Sequence, residues 1–540
     1  MKDKAMILLM LSMMFASCEK IDKSGWIIPE PEDVVTDAQS VVPEGMHNLS
    51  AGKFYLFDQP TYKGLKDVFP LEPWSSGIRL TDEDASGDGV GCVAWESQTV
   101  EVVLDLGRLR EIESVKVHAV ENPSLSMLYP EKVDIQYKKK ESDSWTRING
   151  QISFNDAAAP QEGQVAAGAW GTLEFARTST RYVKFTLSAD SASSLMGIDE
   201  IMVIGHYVAD LKYVPQNGCY HGAFNNNTSF ADNTDPSIVV NHKSCPIDTY
   251  EAQVGKQLSM MLWYQGVCDA NKKPTRMFDE MQGVRKNYTG VNFDGKYRFF
   301  LYGWLPDQYT AKQLAEGLLD DYYKTYFKGI ADHPEYKETG PIWFRPANEM
   351  NSNWLSYGGD PKNYVKYWRR MYNIAEQYGV VDYNVFVWSP NDVTYNSNTH
   401  VMPDAVMKDY WPGEIYVDWV GVSCYPTTLG GYLWPEDLLE EVTAIGKKYG
   451  KPMMVSEGAY GKQVQDGKKA QWVTEFFAAL KKYEYKAVIW ENHSTDANGD
   501  RRIHKFPAAL KAYQDIIQDE YWLDRIPQEV YDEIERRKAQ

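Results

Sequence analysis

From about residue 215 the chain repeats one pattern: a short apolar run, a polar tip, then a segment of helical period. The runs are "GCYHGAF", "QLSMMLWYQG", "YRFFLYGW", "GPIWFRPANE", "NVFVWSPND", "DWVGVSCYP", "KPMMVSEGAYG" and "KAVIWENHS". Between them lie helical segments such as "AKQLAEGLLDDYYKTYFKGIADH", "NYVKYWRRMYNIAEQYG", "PEDLLEEVTAIGKKYG" and "KKAQWVTEFFAALKKYE". Eight apolar runs alternating with helices predict a (β/α)8 barrel over residues 215–525, since buried parallel strands need helical crossovers. The rule for such barrels is that chemistry sits at the C-terminal ends of the strands. Polar residues that close an apolar run are therefore the candidates for function.

The residues before 215 have a different period. Between 47 and 207, "QTVEVVLDLG", "IESVKVHAV", "KVDIQYKK" and "RYVKFTLSA" alternate apolar with polar, as half-buried antiparallel strands do. No long helical pattern interrupts them, so an N-terminal antiparallel β-sandwich is expected. A multidomain protein is also what 540 residues require, because one core rarely serves so long a chain.

The first residues, "MKDKAMILLMLSMMFASCEK", place two lysines before an apolar run from Ala5 to Ala16, too short for a permanent membrane span. The small residues before Cys18 resemble a bacterial lipoprotein signal. That resemblance implies a signal peptide over 1–18, lipidation at Cys18 and a bacterial cell-envelope location. "IIPEPEDVVTDAQSVVPEG" then reads as a tether within 19–46. Apart from Cys18 the five cysteines form no CxxC pair, so no zinc or iron–sulfur site is indicated, and Cys219 with Cys245 is a candidate disulfide. A net charge of −19, from 56 basic and 75 acidic residues, argues against nucleic acid or an anionic membrane surface as partner. Aromatics reach 13%, with 17 Trp and 36 Tyr; most must be core, and stacking on sugar rings is the functional alternative.

At the strand ends, Arg345, Asn348 and Glu349 close the fourth run, and Trp388, Ser389 and Asn391 the fifth. Tyr425 closes the sixth, Glu457 the seventh, and Trp490 and Glu491 the eighth. Two glutamates far apart in sequence are thus brought to one mouth. A carboxyl pair across a sugar is the equipment of glycoside hydrolysis.

"GPIWFRPANEMNSNW", "VFVWSP", "YVDWVGVSCYP", "GKPMMVSEGAYG" and "KAVIW", in this order, resemble the serial motifs of glycoside hydrolase family 26. The resemblance implies a retaining endo-acting glycosidase without metal or cofactor, with Glu349 as acid/base and Glu457 as nucleophile. The substrate it points to first is β-1,4-mannan, then a β-glucan or β-xylan. A surface glycan-binding protein that has lost catalysis is the alternative from another class. Within this frame Arg345 is expected to keep Glu457 ionised, and Tyr425 to donate its hydroxyl to Glu457. Trp490 is expected to floor the cleavage subsite, and Trp354 to stack a sugar on the leaving-group side. Trp388 either stacks likewise or fills the barrel. Adjacent strand residues point to opposite faces, so Glu491 is set aside in favour of Trp490. Asn348 stands where the family usually has His; its amide suits a sugar 2-hydroxyl, and this weakens the transfer of mannan as substrate. "SEGAYG" is a second departure. The succession "VVLDLG", "YPEKVDIQYK", "RYVKFTL" and "MGIDEIMVIG" resembles a discoidin-like module, which implies either glycan binding or a spacer role. A monomer is the default oligomeric state.

Overall fold

The computed structural model describes residues 41–59, 79–86, 92–154, 166–189, 195–225, 246–267, 278, 298–392, 407–426, 434–461, 466–495 and 499–539. The expected signal segment with Cys18, the expected tether up to residue 40, and the candidate disulfide partner Cys245 lie outside them, as does Cys268. Among the described residues Cys92, Cys219 and Cys424 are buried.

Eight parallel strands close into a barrel: β1 (Cys219–Phe224), β2 (Met260–Gly266), β3 (Phe299–Leu305), β4 (Ile342–Pro346), β5 (Val385–Trp388), β6 (Trp419–Cys424), β7 (Met453–Gly458) and β8 (Ala487–Glu491). Each pairs with its sequence neighbour, and β1 pairs with both β8 and β2, so no edge is left. The outer layer includes α1 (Asp320–Asp332), α2 (Pro361–Gln377), α3 (Pro435–Lys448), α4 (Asp466–Lys482) and α5 (Pro507–Ile517). The first long helical run of the sequence is split, because Gly317 adopts φ +88° between a short turn, Ala311–Ala315, and α1. The Asp360 side chain caps α2, and Pro361 occupies its first turn.

Alternation along β4 sets the geometry of the site. Trp343 points inward against Tyr220, Phe299 and Trp419, while Phe344 points outward against Tyr326 and Phe327 of α1. Arg345, two residues after Trp343, therefore faces the barrel axis one layer higher. In β7 an extra residue relative to both neighbouring strands makes a bulge around Ser456, which sets the direction of Glu457.

Residues 47–206 form a mainly antiparallel sheet. Its long strands Thr99–Glu121, Ala167–Ser188 and Leu195–His206 carry Val100, Val102, Leu104, Val115, Val117, Val183, Phe185 and Ile201 into one core. The sheet docks on α2 through charge. Lys53, Arg108 and Arg110 converge on the buried Glu376, while Lys366 meets Asp82 and Arg369 meets Glu83. Burial lowers Lys53 to about 8, more than its pairing restores. Glu376 resists its own burial because three cations face it, and sits at about 2. Helix Gln528–Lys538 extends past residue 525 and is tied back by Arg537 to Asp210.

Candidate active site

The chain after β4 turns sharply to present Glu349. Ala347 and Glu349 both take left-handed backbone angles, φ +45° and +58°, which cost a non-glycine residue about 1 kcal/mol or more each. Hydrogen bonds over-determine the turn. Ala347 N donates to Trp304 O at 3.0 Å, Glu349 N to Ser389 O at 2.9 Å, and Tyr357 Oη to Asn348 O at 2.9 Å. The carboxyl of Glu349 accepts from Trp354 Nε1 at 2.9 Å, and Trp354 itself is 42% exposed. Burial, with the nearby charge of Glu457 second, raises Glu349 to about 7.

Glu457 is held differently. Arg345 Nη2 reaches its Oε1 at 2.7 Å, Ser423 Oγ donates to the same oxygen at 2.8 Å, and Tyr264 Oη donates to Oε2. Burial alone would push this carboxyl up. The charge of Arg345 and the bonds from Tyr264, Arg345 and Ser423 outweigh it and leave Glu457 below its ordinary value. Arg345, fully buried, is fixed in turn by Ser389 Oγ at 2.9 Å, Tyr264 Oη at 2.7 Å and Ser423 Oγ at 2.6 Å. Ser389 is braced by Ser456 at 2.6 Å.

Glu349 also feels the charge of Glu457, so the two carboxyls lie near each other. Two carboxyls, one poised to keep a proton and one held ionised, thus face one space.

Other candidates land differently. Asn348 lies beside Glu349, and its side-chain Oδ1 is buried without a partner among the described residues. Tyr425 does not supply the phenol for Glu457. Its ring lies 4.0 Å under the Arg501 guanidinium, which pairs with Glu491, while Tyr264 on β2 holds Glu457 instead. Trp490 does not floor the cleft. It points outward, packs on Trp472 of α4 and Tyr513 of α5, and donates from Nε1 to Arg501 O at 3.2 Å. The alternation that set Glu491 aside in fact turns Glu491 inward and Trp490 out. Trp388 is likewise an outer-layer residue, edge-on to Trp411, with Nε1 on Tyr410 O at 3.0 Å. Tyr264 could be found only from register. It pairs with Gly303 on β3, and a Cβ there would meet the Tyr264 ring at 2.5 Å, so the glycine makes room for the ring.

A parallel eight-stranded barrel that aims two oppositely tuned carboxyls from the ends of β4 and β7 at one space has the architecture of a glycoside hydrolase. Residues 321–505 match the family model described as Glycosyl hydrolase family 26. "Endoglucanase H" of Acetivibrio thermocellus is 24% identical over 230 residues, which span 40% of this chain and 24% of that protein. "Mannan endo-1,4-beta-mannosidase" of Bacillus subtilis is 26% identical over 121 residues, 20% of this chain and 29% of that protein. The chain thus spans less than a third of the length of either relative. A solved structure of a Cellulomonas fimi endo-beta-1,4-mannanase double mutant aligns over 58% of this chain and 74% of its own, at 16% identity and a TM-score of 0.43. The barrel is a glycoside hydrolase domain, similar to family 26 over the matched residues.

Proposed function

We propose that the protein is a retaining, endo-acting hydrolase of a neutral β-linked polysaccharide, with Glu457 as nucleophile and Glu349 as acid/base. The observation that carries this reading is the pair of buried carboxyls at the ends of β4 and β7, Glu349 pushed up and Glu457 held down, near enough for the charge of Glu457 to act on Glu349. The resemblance to family 26 implies direct attack by Glu457 rather than by an interposed water. Glu457 attacks the anomeric carbon and forms a glycosyl ester, while Glu349 passes its proton to the departing glycosidic oxygen. Esterification removes the negative charge that helps hold Glu349 up, so Glu349 becomes a stronger acid and is ready to act as base. It takes a proton from water, the hydroxide oxygen bonds to the anomeric carbon, and the Glu457 carboxylate leaves. Two carboxyls suffice for this chemistry, without metal or organic cofactor.

The buried, unpartnered Oδ1 of Asn348 is suited to accept from a sugar 2-hydroxyl, and Trp354 beside Glu349 to stacking under the leaving-group sugar. β-1,4-Mannan is the first substrate in order of expectation, followed by β-glucan and β-xylan; the relatives named as mannosidase and endoglucanase support testing these together. The antiparallel sheet fits a discoidin-like β-sandwich that binds glycan or spaces the barrel, and the leader at Cys18 fits a lipid-anchored envelope protein. The test is hydrolysis of mannan, glucomannan, mixed-linkage glucan and xylan, followed by reducing ends, with α- and β-anomers separated by NMR. Initial retention of configuration, with loss of activity in Glu349→Ala and Glu457→Ala, is expected. Activity surviving in both variants overturns the roles. Binding without hydrolysis would make the protein a glycan receptor.

A further inference from the structure

The site contains a third carboxylate that the hydrolytic scheme does not use. Glu491 closes β8, faces inward near enough to Glu457 for their charges to interact, and is held by Arg501. The Arg501 guanidinium lies 4.0 Å over the Tyr425 ring, which fixes its plane.

A structural role for this ion pair would be to close the loop after β8. That loop is closed without it. Arg501 N donates to His493 O at 2.9 Å, Trp490 Nε1 to Arg501 O at 3.2 Å, and Ile503 N to Asn492 Oδ1 at 2.9 Å. A buried ion pair also stabilises a fold less than apolar side chains of the same size would, and this one sets a second anion near Glu457. What the arrangement does provide is a rigid, charged acceptor at the mouth of the barrel. Sugar hydroxyls are donors, and a fixed carboxylate can accept from two neighbouring hydroxyls at once.

Resting on the hydrolase reading above, we propose that Glu491, oriented by Arg501 and Tyr425, binds vicinal hydroxyls of the sugar ring that becomes bonded to Glu457. The position decides which ring. β8 adjoins β7, whereas Glu349 protonates the leaving group from β4 across the barrel. Glu491 is therefore next to the retained ring. A neutral sugar with free neighbouring hydroxyls fits there, and a uronic acid would meet two carboxylates.

The experiment uses the full chain, with the polysaccharide it hydrolyses and a 2,4-dinitrophenyl β-glycoside of the same sugar. Glu491→Gln is expected to lower kcat/KM by about 10- to 100-fold on both substrates, since each hydrogen bond to a charged group contributes about 1.5–3 kcal/mol. A good leaving group should not rescue it, whereas it should rescue much of the loss in Glu349→Ala. Losing the negative charge beside Glu457 should also move the acid limb of the pH profile downward, which a merely structural residue would not do. Glu491→Gln within twofold of the unsubstituted protein on both substrates, with an unshifted acid limb, overturns the proposal. If this variant loses its cooperative unfolding transition, Arg501→Lys decides: a KM for the aryl glycoside raised fivefold or more supports the role, and an unchanged KM overturns it. Failure of the hydrolase reading is separate, because it would show in the unsubstituted protein as no turnover of either substrate.

Discussion

Tyr264→Phe tests the electrostatics of the site at one atom. The phenol is buried and strongly resists ionisation, chiefly because of that burial, so it remains a donor to Glu457 Oε2 across the working pH range. It also accepts from Arg345 Nη1 at 2.7 Å. Phenylalanine keeps the ring that fits against Gly303 and removes only this bridge. Oε2 then loses its hydrogen-bond donor, while Oε1 keeps Arg345 and Ser423. A hydrogen bond to a charged acceptor is worth about 1.5–3 kcal/mol, equivalent to about one to two pH units in the Glu457 carboxyl. The sign follows from the role of the bond. Tyr264 favours the ionised form, so its loss raises Glu457 and moves the acid limb of kcat/KM upward by that amount. With Glu349 as the proposed acid/base, the alkaline limb should hold, because Glu457 remains charged at neutral pH. Reduced orientation of the nucleophile should add a fall in kcat of about tenfold or more. The assay is kcat/KM against pH on a soluble polysaccharide, with thermal unfolding as control. An acid limb within a few tenths of a pH unit of its original place, with kcat unchanged, would refute this account of how Glu457 is kept ionised.

For the unsubstituted enzyme the rate profile should be bell-shaped, with its alkaline limb near the value of about 7 for Glu349 and its acid limb below the ordinary carboxylate range; initial rates on one substrate across pH 3–9 check it. Trp388→Phe should reduce stability by about 1–3 kcal/mol in urea unfolding while KM stays the same, because the ring packs outside the barrel; a raised KM would return Trp388 to the cleft. Glu376→Gln leaves Lys53, Arg108 and Arg110 facing one another without their anion and should cost about 3–5 kcal/mol. In the folded chain Glu376 lies well below its unfolded value of about 4.3, so its stabilisation is present above that value and is lost as pH falls toward about 2; the acid unfolding midpoint measures this.

The pattern of periods along the chain carried the barrel, because each buried strand must be apolar and each crossover amphipathic, and both features are local. Polar tips on those runs brought forward Arg345, Asn348, Glu349 and Glu457 without any coordinates. What the sequence could not decide was the facing of neighbours in the last residues of a strand. Trp490 and Glu491 are equally polar-tipped candidates as letters, and one residue of register separates a cleft floor from a helix-facing wedge. The same holds for Trp388, whose neighbour Ser389, not the ring, faces Arg345. Tyr264 and Ser423 were out of reach for a further reason: their partners lie 193 and 34 residues away, and a strand bulge in β7 sets which oxygens meet. The sequence by itself determined which residues could ionise, stack or bury. Only closure of the barrel decided which of them meet around Glu457, since that depends on register summed over eight strands and not on any one of them.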